Sequence, residues 1–273
     1  MRLLRSHHIV KLVEVVDTYF PREAPNPKGG RPIILHQNEV IALLVFSCLV
    51  APQKTLKGVH TLAQTFYYRR FQIPAYKTWV RKCHQALPLM CYLLDQLLDK
   101  ETPVRFMDST MLEVCRLLRA DRHKVALGVA DFGKNWQGWH FGFKLHASCG
   151  PNGRLCAIWF TPANEHDAQQ IPHLVNDATV IAIGDGTYGA RIMREKMWRK
   201  HKAFILAPPH PSQTKQVMTG WQHLLLRARP KIECTFDYLK EHLYLQTSFP
   251  RSVTGYFVHY IRILLSYQLM WGF

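Results

Sequence analysis

The spacing of apolar residues changes near residue 100, and this change limits the folds open to the 273-residue chain more than any other feature. Before it, His8 to Tyr19, Glu39 to Val50, Leu56 to Phe71 and Thr78 to Leu98 carry apolar side chains three and four apart, with Pro or Gly between the segments. That is the period of helices buried on one face. From residue 103 the apolar residues come in short runs: Val104 to Met107, Phe141 to Ala147, Arg154 to Phe160, Val180 to Ile183 and Ala203 to Leu206. Bounded by Gly, Pro, Asn or Asp, these predict strands. The segment Ser148-Cys-Gly-Pro-Asn-Gly153 favours a chain reversal, so the second and third runs are expected to form an antiparallel hairpin. Helical spacing over Asp167 to Asn176 and Ala190 to His201 leads into the last two runs, which predicts a parallel crossover and a mixed sheet. Pro230 to Leu245 and Tyr256 to Trp271 return to helical spacing. The expected organisation is a helical region over residues 1–100 and an α/β domain over 101–273.

Charge narrows the partner. The chain has 35 Lys and Arg against 19 Asp and Glu, a formal +16, split as +8 in residues 1–100 and +8 in 101–273. A polyanion matches this excess, because each cation set against a phosphate releases condensed counterions, and the even split predicts nucleic acid touching both halves. A membrane span is not expected: the longest uncharged apolar stretch, Val40 to Pro52, is too short to cross a bilayer. Lys11, Glu14 and Asp17 make the first twenty residues amphipathic, unlike a signal peptide, so a cytoplasmic protein is expected. Seven cysteines with no Cys-x-x-Cys predict reduced, mostly buried thiols and neither a disulfide framework nor a zinc site.

Candidate functional residues follow from this layout. Two helical segments flank Ile73-Pro74-Ala75, and the second carries Lys77, Arg81 and Lys82; they are compatible with a helix-turn-helix that binds DNA or with an ordinary helix pair. A basic loop with Lys28 and Arg31 precedes them. In α/β sheets chemistry gathers where strands end. Asp108 closes the run Val104-Arg-Phe-Met-Asp, and Asp185 follows Val180-Ile-Ala-Ile-Gly. A carboxylate leaving an apolar strand is costly to bury uncompensated, so two of them hint at a shared cation. The plain alternatives are a capping box over Thr110 to Glu113 beside Asp108, and a simple turn at Asp185-Gly186. Glu233 and Lys240 lie seven residues apart on a helix that Pro230 would open, along the border of an apolar stripe. Its plain alternative is a surface pair between Glu233 and Arg229. His140, His146 and His166 match no zinc spacing, and packing or phosphate contacts are expected of them. Trp136 and Trp139 are positioned in a Gly-containing loop to stack on frayed bases, or else to pack.

Taken in order, Phe106-Met-Asp108-Ser-Thr, Gly138-Trp-His-Phe-Gly-Phe-Lys144-Leu-His146, Thr161-Pro-Ala-Asn-Glu-His-Asp167, Gly184-Asp185-Gly-Thr-Tyr188 and Arg229-x-x-x-Glu233 followed by Lys240 resemble the catalytic core of bacterial insertion-sequence DDE transposases. The branch named after insertion sequence 982 is the most similar, over residues 104 to 265, and the helical first hundred residues also resemble it. The resemblance implies an RNase H-like mixed sheet flanked by helices, following an all-helical DNA-binding region. It implies that Asp108, Asp185 and Glu233 are a catalytic and metal-binding triad, and that Arg229 and Lys240 contact transposon-end DNA. Mg²⁺ or Mn²⁺ in a two-ion site suits three carboxylates, and such ions displace one phosphodiester oxygen by another without a covalent protein intermediate. Lys144 and Lys231 join Arg229 and Lys240 as expected backbone clamps. The implied partners are double-stranded DNA, as element ends and target, and a second copy of the chain, since two ends must meet. Nucleoid association is implied while DNA is bound. Two positions depart from the pattern: Leu226 stands where a Tyr is usual, and Gly186 where a Lys commonly follows the second Asp. The rival readings are a transposase-derived DNA-binding protein that no longer cuts, and an RNase H-like nuclease acting on RNA–DNA hybrids.

Overall fold

The computed structural model describes residues 7–22, 34–135, 138–209, 218–246 and 250–271; the Lys28 and Arg31 loop and Trp136 lie outside the described residues. The chain divides into two compact units, one of residues 1–97 with 239–273 and the other of residues 98–238.

The first unit is helical: α1 His7–Tyr19, α2 Gln37–Val50, α3 Leu56–Phe66, α4 Tyr76–Leu97 and, from the far end of the sequence, α9 Val253–Leu269. Buried Trp79, Cys83, Ala86, Met90 and Leu93 trace the three- and four-residue stripe of α4. The second domain had been expected to run to residue 273, but α9 packs on α2 and α4. The reason lies in its sequence, which is buried from Val258 through Leu269 and so needs cover on every side. Some of its polar groups find partners within the helical unit. The Arg262 guanidinium donates to the Gln53 carbonyl and Cys48 Sγ and contacts His259 Nδ1. Burial and Arg262 push the His259 pKa down to about 3, so the ring is neutral, with Nδ1 accepting and Nε2–H donating to the Tyr244 carbonyl. The expected packed C-terminal helix is therefore present. Nine residues, 67–75, join α3 to α4, against the three or four of a helix-turn-helix turn. Among the described residues no helix is long and apolar enough to cross a membrane.

The second unit carries a six-stranded mixed sheet: β1 Val104–Glu113, β2 Asp131–Asn135, β3 Gly138–Cys149, β4 Leu155–Pro162, β5 Ile181–Ile183 and β6 Phe204–Leu206. Around it stand α5 Ile171–Leu174, α6 Arg191–His201, α7 Gly220–Arg227 and α8 Pro230–Asp237. The order is β2-β3-β1-β5-β6, with β4 paired to β3. β3 and β4 form the expected antiparallel hairpin. β1, β5 and β6 run parallel, with α6 as the crossover between the last two. This arrangement is compatible with an RNase H-like fold. Several local expectations are corrected. β1 does not end at Asp108 but continues to Glu113, so Thr110 and Glu113 are strand residues and not a helix cap. Pairing with β3 from Phe106↔Cys149 to Glu113↔Gly142 gives that backbone its hydrogen-bond partners. The segment Asp167 to Asn176 is not one helix but a 3₁₀ turn, Asp167–Gln170, running into the single turn of α5. β2, with sequence Asp-Phe-Gly-Lys-Asn, and α7 had no strong periodic signal. Beyond α8 the chain forms a π-helical turn, Tyr238–His242.

Candidate active site

Strand alternation decides which side chains share a face. In β1, Phe106 and Asp108 point one way and Met107 and Ser109 the other. Phe106 pairs with Ile183 of the parallel β5, so two residues further along each chain Asp108 and Asp185 follow on the same side. Met107 and Ala182 belong to the opposite face, in a buried cluster with Ile171, Leu174, Tyr188, Met197 and Ile205. α8 packs on β1 and β3, and its Thr235 hydrogen-bonds Cys149, the β3 partner of Phe106. Glu233, in the first turn of α8, is therefore carried on the Asp108 side of the sheet. Pro230 at the start of α8 opens the helix there, as its sequence predicts.

The electrostatics bear on the same three carboxylates. Asp108 is half-buried, and its pKa is pushed up to about 7, first by burial and further by the charges of Asp185 and Glu233. The Ser109 N–H, which donates to Asp108 Oδ1 at 2.8 Å, and Arg229 oppose the rise. Asp185 caps the 3₁₀ turn Gly186–Gly189, its Oδ1 accepting from the Thr187 N–H at 2.9 Å and from the Thr187 hydroxyl. Glu233 forms an i,i+4 ion pair with Arg229, the pairing that its plain alternative describes. Among the described residues, no group of three His, Cys, Asp or Glu side chains is arranged to hold a metal ion. The donor chemistry nonetheless suits a hard divalent cation: the charges of Asp185 and Glu233 both act on Asp108, whose carboxyl pKa is raised to about 7 first by burial and then by them.

Other expected residues are spread more widely. Lys144 lies on the opposite face of β3, largely buried, with Nζ donating to the Glu165 carbonyl at 2.7 Å and to Asp167 Oδ1 at 2.9 Å. His146, two residues on, is fully buried; its Nε2 meets Thr161 Oγ1 at 2.9 Å and its Nδ1 lies 3.7 Å from Asp167. Burial pushes the His146 pKa down to about 4 despite Asp167, so the ring is neutral. The sheet thus uses Lys144 as the counter-ion of Asp167. Lys231 is exposed on α8, beside a groove of about 360 Å³ that Phe106, Pro151, Arg227 and Cys234 help to line. Lys77 and Arg81 are exposed on α4, whereas the Lys82 ammonium donates to the Leu35 carbonyl. Lys240 stands in the π-helical turn and belongs to the helical unit. His140 bridges Glu113 and Asn135, and His166 caps the 3₁₀ turn after β4, so both serve packing. Trp139 is 56% exposed, with the Lys134 ammonium 5.8 Å from its ring centroid. All seven cysteines are free, and only Cys91 and Cys234 are exposed.

Sequence reasoning assigned no role to Tyr188. Its ring lies so close to Gly184 that a Cβ there would approach within 2.6 Å, which explains the glycine before Asp185. Its hydroxyl is buried without a hydrogen-bond partner among the described residues. Burial, then Asp167, Asp108 and Asp185, raise its pKa well above the usual phenol value, so it stays a neutral donor. The signal was the aromatic residue three positions after Asp185.

A mixed sheet of this order, with carboxylates on its central strand, at the end of the neighbouring parallel strand and on a covering helix, is compatible with the RNase H-like class of α/β architectures. The family described as transposase DDE domain matches residues 98–253, more than half of the chain, and the chain belongs to that family. The comparison with curated proteins gives no match.

Proposed function

We propose that the chain is a bacterial insertion-element transposase of the branch named after insertion sequence 982, which binds the terminal inverted repeats of its element and carries out strand cleavage followed by strand transfer. The observation that carries this reading is Asp108, a half-buried carboxylate whose pKa is raised to about 7 in part by Asp185 and Glu233. Three acids crowded together are costly unless something cationic joins them. Asp108, Asp185 and Glu233 would hold Mg²⁺ or Mn²⁺ in a two-ion site, and such ions, when bound, activate the attacking oxygen and stabilise the leaving one. The chain's own groups prepare this: the Ser109 N–H fixes Asp108, Thr187 fixes Asp185, and Arg229 pairs with Glu233. Arg229 and Lys231, at the start of α8, grip the DNA backbone near the reacting strand, and Lys240 also contacts the DNA backbone. Lys77, Arg81 and Lys82 contact the duplex from the helical unit. Lys144 takes no DNA, being committed to Asp167. A homodimer joins two ends, and the protein works in the cytoplasm on the nucleoid. Replacing Asp108, Asp185 or Glu233 singly by Ala abolishes Mg²⁺-dependent cutting of an end-containing duplex and leaves binding largely intact; cutting retained in all three variants overturns the reading.

A second reading, a DNA-binding relic that no longer cuts, draws on Gly186 in place of the usual Lys and on Glu233 turned to Arg229. Turnover with Mg²⁺ or Mn²⁺ excludes it.

A further inference from the structure

Between Glu39 and Asp95 the sequence holds 55 residues without one acidic side chain and with seven Lys or Arg. Within this stretch the end of α3 and the connection that follows it display two aromatic rings to solvent: Phe66 is 71% and Tyr68 59% exposed. Arg69 and Arg70, beside them, are also exposed. The tip is nevertheless held at its base. The Tyr67 N–H bonds the Ala63 carbonyl, the N–H groups of Arg70 and Phe71 both bond the Tyr67 carbonyl at 2.9 Å, and Phe71 is buried. The Tyr67 ring packs edge-on against Phe46 at 5.7 Å. Arg69 lies 5.8 Å from the Tyr68 ring centroid, and its Nε donates to the Tyr68 hydroxyl at 3.1 Å. A fixed backbone therefore offers two rings and two guanidinium groups, on a surface whose sequence supplies no negative charge.

We propose that Phe66 to Arg70 form a stacking tip for DNA, in which Phe66 and Tyr68 lie against the faces of unpaired bases while Arg69 and Arg70 hold the flanking phosphates. The proposal rests on the reading of the chain as a protein acting on DNA and deepens it: this contact meets bases, and it lies outside the α4 residues Lys77, Arg81 and Lys82. Rings with exposed faces accept any base, and the lack of acids favours a polyanion over a protein groove.

The test measures binding of the full chain to a fluorescent oligothymidylate in EDTA across a salt series. Loss of a base–aromatic stack weakens binding roughly 5- to 150-fold, so Phe66→Ala with Tyr68→Ala should lose at least about tenfold while the slope of log K against log salt stays unchanged. Arg69→Gln with Arg70→Gln should flatten that slope by about 1.4, the value for two phosphates on a single strand. Tyr68→Phe should bind as the parent does and Tyr68→Leu should not, which separates the ring from any effect on folding. Binding by the double-aromatic variant within a factor of two of the parent, or an unchanged slope in the arginine variant, overturns the tip alone. Failure of the unaltered chain to bind either oligothymidylate or duplex DNA overturns the underlying reading as well.

Discussion

Replacing Asp108 by Asn should make the metal-free protein more stable. The Asp108 carboxyl has an ordinary pKa of 3.8 and is raised to about 7 in the folded chain, first by burial and then by Asp185 and Glu233. The folded state therefore binds this proton more tightly than the unfolded state does. Its contribution is fully present below about pH 4, and it is lost as pH rises through about 7. A rise of about three units corresponds to roughly 4 kcal/mol at the limit of no screening. Solvent at a half-buried position reduces this, and about 2 kcal/mol is expected above pH 8. Asn keeps an oxygen to accept the Ser109 N–H and carries no charge at any pH. For a protein of this size about 2 kcal/mol raises the melting temperature by roughly 4 to 8 °C. The assay is thermal unfolding of both proteins in EDTA at pH 8.5 and at pH 4.5. The gain should be present at the higher pH and shrink toward zero at the lower. A variant less stable than its parent at pH 8.5, or a gain of equal size at both values, refutes the electrostatic account. Adding Mg²⁺ at pH 8.5 should stabilise the parent and leave the variant nearly unmoved.

Arg105 is 1% exposed and donates to the carbonyls of Lys100, Thr102 and Leu174 and to Asn176 Oδ1. Arg105→Met should cost about 3 kcal/mol in denaturant unfolding, because those acceptors lose charge-assisted partners. Nothing lies within 4 Å of a Cβ built on Gly186, so Gly186→Lys should fold normally and raise the rate of metal-dependent cutting, measured as turnover at saturating Mg²⁺. In the native state a bulky thiol reagent should label only Cys91 and Cys234, with all seven sites reacting after denaturation, as mass spectrometry would show. Lys144→Met should leave the salt dependence of duplex binding unchanged while lowering the melting temperature, since it strands Asp167.

Much of the architecture is legible in the sequence, because runs such as Val180 to Ile183 and the stripe of α4 carry a clear period. The extent of β1 was not, since Thr110 and Glu113 satisfy a helix-capping pattern as well as a strand, and the choice is made by β3, thirty residues away in sequence. The polar β2 is a strand because β3 supplies its hydrogen bonds. The three carboxylates were found through their places at strand ends and on a Pro-opened helix, and their shared face follows from register, which no local pattern contains. The role of Lys144 was hidden for the same reason. Its place beside His146 in the chain says nothing of Asp167, which a turn brings beneath both.

The helical unit closes on α9, which is synthesised only after the sheet unit, while α4 ends at Leu97. At about 5 to 20 residues per second, roughly 8 to 30 s of translation separate the emergence of those partners. During that interval α2 and α4 have apolar faces with nothing to cover them, and the sheet unit can mature first. A product terminated between α8 and α9 would keep Asp108, Asp185 and Glu233 and yet lack the helix that completes the helical unit. Such fragments are suited to chaperones and proteases, so output of competent protein depends on the ribosome reading through α9.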